Sequence, residues 1–97
     1  MTHYIAIVEE EEGKATGVWF PDLPGCVSAG DTLDEAMQNA AEALELWAQA
    51  MIESGQTIPP PRSLADLNAD REVAHDLARY MVALIPLPES VRQHAAE

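Results

Sequence analysis

The stretch Trp19-Phe20-Pro21-Asp22-Leu23-Pro24-Gly25-Cys26 constrains this chain more than any other, because it ends one strand, turns, and starts the next within eight residues. Gly25 after Pro24 has the order of a type II turn, whose third residue takes φ > 0; a side chain there is expected to cost about 1 kcal/mol. Asp22 is expected at an exposed turn, where replacement costs within about 0.5 kcal/mol. The motif therefore reads first as architecture and only second as a contact surface. Cys26, at the start of the next strand, reads as a small buried apolar residue, since nothing nearby in sequence would lower its pKa. Six residues on, Thr32 begins a pair with Glu35 that has the spacing of a capping box, in which hydroxyl and carboxylate each satisfy an orphaned N–H at a helix start.

The remaining elements follow from local pattern. Tyr4-Ile5-Ala6-Ile7-Val8 is a continuous apolar run suited to a central strand. Glu9 to Lys14 is too charged to bury and reads as the exposed tip of a hairpin leading into Thr16–Phe20. From Leu33 to Ser54 the residues Leu33, Met37, Ala40, Leu44, Trp47, Ala48 and Met51 recur at helical steps and mark the face that covers the sheet, with Gly55 as the helix stop. The prolines at 59, 60 and 61 make a stiff crossover. Short helical patterns over Ser63–Leu67 and Arg71–Arg79 lead to a last strand, Met81–Ile85. A strand reached through a helical crossover is expected to run parallel to its neighbour. The fold class is thus α+β, in the order β-β-β-α-β, with three antiparallel strands, one parallel strand and one long helix packed on the sheet. Residues 1–87 form the domain and 88–97 a tail.

Seventeen acids against five bases give a net charge of −12, and residues 1–61 hold eleven of the acids with Lys14 as their single base. Binding to phosphates depends on lysine and arginine displacing counterions, so no nucleic acid is expected to bind through this chain alone. A basic partner protein is the natural complement. One cysteine permits no internal disulfide; no signal peptide or membrane span is apparent, and the chain reads as cytoplasmic with no membrane partner. His3, His75 and His94 have no metal-ligand spacing, so no metal site and no cofactor is expected.

The Phe20–Cys26 run, with Gly30-Asp31-Thr32, Glu35-Ala36, Asn39-Ala40, Glu42-Ala43-Leu44 and Ile58-Pro59, resembles the HicB-like antitoxin family. That resemblance implies a partial ribonuclease H-like fold and a basic HicA-type toxin, a messenger-RNA-cleaving enzyme, as partner. It also implies a separate C-terminal DNA-binding region. Leu84–Val91 faintly resembles the opening of a ribbon-helix-helix, and the tail is either a remnant of such a region or a link to one. Ribonuclease H chemistry needs carboxylates on the strands to hold two metals. Neither Tyr4–Val8 nor Met81–Ile85 has one, so no catalytic residue is expected. A degenerate nuclease is the third reading, disfavoured by the missing strand carboxylates, and two roles stand ahead of it: an antitoxin that neutralises the toxin, and a stand-alone oligomeric domain with a scaffold or regulatory role. Either is expected to self-associate as a homodimer or higher homo-oligomer, because a small sheet with one covering helix leaves an edge to protect.

Overall fold

The computed structural model describes residues 2–89 and Val91. The chain forms β1 (His3–Glu9), β2 (Thr16–Trp19), β3 (Val27–Gly30), α1 (Leu33–Glu53), α2 (Leu64–Asn68), α3 (Arg71–Arg79) and β4 (Met81–Pro86). They build one sheet in the order β3-β2-β1-β4, which puts the apolar run of β1 in the interior, as its composition predicts.

The fourth strand corrects the expected topology. It pairs with β1 antiparallel, Met81 opposite Val8 and Pro86 opposite His3, so the sheet is antiparallel throughout and lacks the parallel strand of the partial ribonuclease H-like arrangement. A single helical pass would have returned the chain parallel. Here it crosses twice: α1 leaves the Gly30 end of the sheet, and residues 54–80, with α2 and α3, bring the chain back so that β4 begins beside Val8. The second pass leaves little trace in the sequence because its helices, α2 and α3, are short and interrupted.

One face of the sheet packs on α1. Tyr4, Ala6, Val8, Val18 and Ile85 meet Ala36, Ala40, Leu44 and Ala48, all buried. Alanine at three of these four positions lets the helix axis approach closely, and Gly30 shows how closely: a Cβ there would lie 2.4 Å from the Ala36 backbone nitrogen. Met37, Trp47 and Met51 flank this stripe, partly buried against the core. Thr32 caps α1 by accepting from the Glu35 N–H at 3.1 Å, while the Glu35 carboxylate reaches the Asp31 N–H, one residue before the cap, at 3.5 Å. At the other end Gly55 and Gln56 donate to the Ile52 and Met51 carbonyls, closing a Schellman turn. On the opposite face of the sheet Ile5 and Ile7 are buried, and Tyr80, following α3, sets its ring edge-on to Trp19 at 5.5 Å. Val91, in the predicted tail, is buried in the core; His94 and the rest of 92–97 lie outside the described residues. No helix among the described residues is long and apolar enough to cross a membrane.

Candidate functional site

The motif that joins β2 to β3 is two consecutive β-turns, each with proline at its second position. Leu23 N–H donates to the Phe20 carbonyl at 3.0 Å across Pro21-Asp22, and Cys26 N–H donates to Leu23 at 2.9 Å across Pro24-Gly25. Gly25 has φ +88°, the left-handed third position that the type II reading requires. The Phe20 N–H closes the loop on the Cys26 carbonyl at 3.3 Å.

This geometry sorts the motif into two halves. Phe20, Leu23 and Cys26 point into the core and are essentially inaccessible. Burial pushes the Cys26 thiol up to about 11, which keeps it protonated and unreactive at neutral pH. Trp19 and Pro21 are half-buried, Pro24 and Gly25 are exposed, and Val27 is 65% exposed. Together they line a shallow groove of about 600 Å³ whose rim includes Glu9, the first of the four acids of the β1–β2 hairpin.

Asp22 belongs to the buried half, against the expectation of an exposed turn. Its side chain is 5% exposed, and its carboxylate accepts from the Arg62 backbone N–H at 2.8 Å and from Arg62 Nε at 2.6 Å. The same guanidinium donates from Nη1 to Asp70 at 3.1 Å, and Asp70 in turn caps α3 by accepting from the Glu72 N–H. One arginine thus fastens the turn, the proline crossover and the start of α3. The hydrogen bond from Arg62 is the main reason the Asp70 carboxyl is held below the usual carboxylate range, and the hydrogen bonds to Asp22 and Asp70 raise the guanidinium's already high pKa. Nearby, the Tyr4 hydroxyl donates to the Pro59 carbonyl; its pKa is raised by burial first and by the Asp22 charge second.

Sequence reasoning located Trp19–Cys26, Thr32 and Glu35, and the structure brings the first eight together but leaves the cap at the far end of β3. It missed Arg62 and Asp70. The available signal was composition: Arg62 is the one base between Lys14 and Arg71, placed directly after three prolines. Chemically the region offers apolar contact and negative charge. No nucleophile is paired with a base there, and among the described residues no three His, Cys, Asp or Glu side chains are placed to share a metal ion.

Comparison with known proteins gives a consistent result. Residues 4–95 match the family described as HicB_like antitoxin of bacterial toxin-antitoxin system. The crystal structure of the Burkholderia pseudomallei antitoxin HicB superposes with a TM-score of 0.76 at 30% identity, covering 93% of this chain and 66% of that one. A chain of a HicA3 and HicB3 toxin-antitoxin complex shares the fold, with a TM-score of 0.68 at 22% identity over 88% of this chain and 96% of that one. An uncharacterized 14.9 kDa protein of Haemophilus phage HP1 is 44% identical over 59 residues, 61% of this chain and 43% of that protein. The chain therefore spans less than half of the phage protein and just under two thirds of the Burkholderia antitoxin. With the family pattern matched from β1 through β4 and beyond, and the proline-turned motif folded as one unit within it, the chain belongs to the HicB-like antitoxin family.

Proposed function

We propose that this chain acts as a non-catalytic antitoxin module in the cytoplasm, binding and neutralising a small basic HicA-type toxin, and that the groove beside Trp19 is its contact surface. The match to the family over residues 4–95 carries the reading. The surface supports it: an apolar floor of Trp19, Pro24 and Val27 beside the acidic run Glu9–Glu12 suits a partner with an apolar anchor and a basic rim. A ribonuclease toxin must itself be basic to hold RNA, so the charge that disfavours nucleic acid here favours the toxin. The Arg62 clasp supplies rigidity, fixing the groove before the partner arrives and lowering the ordering cost of binding.

The test is co-expression with a HicA-type toxin. The wild-type chain is expected to restore growth and to co-purify with the toxin. Val27→Lys, a change at an exposed position, should weaken the complex by at least about tenfold, as loss of a central apolar contact does. A folded wild-type chain that neither rescues growth nor binds such a toxin would overturn the proposal in favour of a stand-alone role.

A further inference from the structure

Gly17 stands where neither the backbone nor the core asks for a glycine. It lies inside β2 with an ordinary strand conformation, since the positive-φ glycines are Gly13, Gly25 and Gly55, and glycine in a strand interior weakens the strand. Close packing does not require it either. At Gly30 an added Cβ would collide with α1, whereas at Gly17 it would meet nothing within 4 Å. Yet Gly17 lines the groove beside Trp19. A bare strand position of this kind marks a place where a group from outside approaches the backbone.

The strand register shows what surrounds this gap. Val18 points into the core, so Gly17 and Trp19 face away from α1, and their cross-strand neighbours do the same. Glu9 on β1 and Ala29 on β3 lie opposite Gly17, each about one strand spacing of ~5 Å away. In the adjacent row Trp19 lies opposite the exposed Val27. The result is a notch with backbone as its floor, the indole and Val27 as its wall and the Glu9 carboxylate at one end. Both polar and aromatic parts are ready for a ligand. Tyr80 braces the indole edge-on at 5.5 Å and is itself covered by the Arg79 guanidinium, 5.3 Å from its ring centre. The Glu9 carboxylate has no hydrogen-bond or ion-pair partner among the described residues, because Lys14, the one base of the hairpin, is given to Glu11 at 3.3 Å.

We propose that the notch over Gly17 is a pocket for one arginine side chain of the toxin, which rests on the groove being the toxin-contact surface. The arginine stem lies along Trp19 and Val27, and its guanidinium sits between the indole and the Glu9 carboxylate. The apolar anchor and the basic rim that this surface suits then meet in a single residue. Arginine fits better than lysine, because its planar, weakly hydrated head stacks on an aromatic face and donates two parallel bonds to a carboxylate. An ammonium group is a compact, strongly hydrated charge that gains less from the indole. A leucine would cover Val27 and leave Glu9 unanswered. The bare floor at Gly17 is what lets a flat group lie against the sheet, and bracing of Trp19 by Tyr80 lowers the cost of ordering the pocket.

Two measurements on the full chain separate the pocket from its partner. In the first, isotope-labelled protein without toxin is titrated with a capped tripeptide carrying arginine between two glycines, and with its lysine and leucine counterparts. The arginine peptide is expected to shift the Gly17 amide and Trp19 indole signals with a dissociation constant of about 1 mM, at least about fivefold below that of the lysine peptide, with leucine weaker still. In the second, variants are bound to a HicA-type toxin. Gly17→Val should keep or raise the melting temperature, since valine suits a strand and its Cβ meets no neighbour, yet weaken the complex at least about tenfold. Glu9→Gln should weaken it by about as much, whereas Glu42→Gln, which removes the same charge from α1 on the other face of the sheet, should stay within about twofold of wild type. A wild type that takes the arginine peptide but no toxin would overturn the partner and leave the pocket. Equal binding of the lysine or leucine peptide, a folded Gly17→Val that holds toxin as wild type does, or equal effects of Glu9→Gln and Glu42→Gln would each overturn the pocket itself.

Discussion

Asp22 satisfies a backbone N–H and a guanidinium forty residues away, and nothing else in the described structure replaces either bond. Asp22→Ala should therefore destabilise by about 2 kcal/mol, less than for a fully buried pair because Arg62 stays partly solvated. Asp22→Asn, which keeps one acceptor, should lose about half of that; urea midpoints at pH 7 measure both, and a loss within about 0.5 kcal/mol for Asp22→Ala would return the residue to an ordinary exposed turn. The Asp70 carboxyl, lowered by Arg62, stabilises the fold above the ordinary aspartate range near pH ~4 and ceases to do so as pH falls through its lowered value. Arg62→Gln should remove that part of the acid-induced fall in melting temperature. The glycines divide similarly. Gly25→Ala meets no neighbour and should cost about 1 kcal/mol of left-handed strain, whereas Gly30→Ala drives a Cβ into the α1 backbone and should cost about 2 kcal/mol or more. The turn at Gly25 was legible because its chemistry is local; the Gly30 approach and the Asp22 clasp were not, because each depends on a segment brought in by tertiary packing.

At the scale of elements, α1 was legible along its whole length, since a 3.6-residue period, a Thr32 cap and a Gly55 stop all agree. The centre of its buried face was not. The apolar pattern placed Ala40, Leu44 and Ala48 on that face but ranked Leu33, Met37, Trp47 and Met51 equally with them and left out Ala36; in the structure the four larger residues flank a stripe of Ala36, Ala40, Leu44 and Ala48, because close approach of the helix to the sheet selects for small side chains. Leu44→Ala should accordingly cost about 3 kcal/mol and Leu46→Ala within about 0.5 kcal/mol, two substitutions of the same chemistry two residues apart. Thermal denaturation of the pair is decisive, and comparable losses would mean that the helix is rotated from its described orientation. Strand β4 was legible as a strand and misread in direction, because direction is a property of the path between elements. No local pattern records how many times that path crosses.

For the molecule as a whole, charge is the property that sequence conveyed most fully, because it sums without reference to the fold. Fluorescence anisotropy at physiological salt should show no useful affinity of the isolated chain for duplex DNA, and incubation with RNA and Mg²⁺ should leave the RNA intact. Sub-micromolar DNA binding that weakens steeply with salt would mean that assembly creates a basic surface which a single chain lacks. The antiparallel closure of β1 by β4 also bears on the order of events during synthesis. Residues 3–9 leave the ribosome long before residues 81–86, which complete one side of their ladder. Until then the most apolar strand of the protein waits with an unpaired edge, and its closure spans nearly the whole chain, the kind of long-range contact that slows folding. A nascent chain halted before Met81 should be aggregation-prone and protease-sensitive, so the fold, and any inhibitory activity that depends on it, is acquired in a single step only once residues 81–86 have emerged.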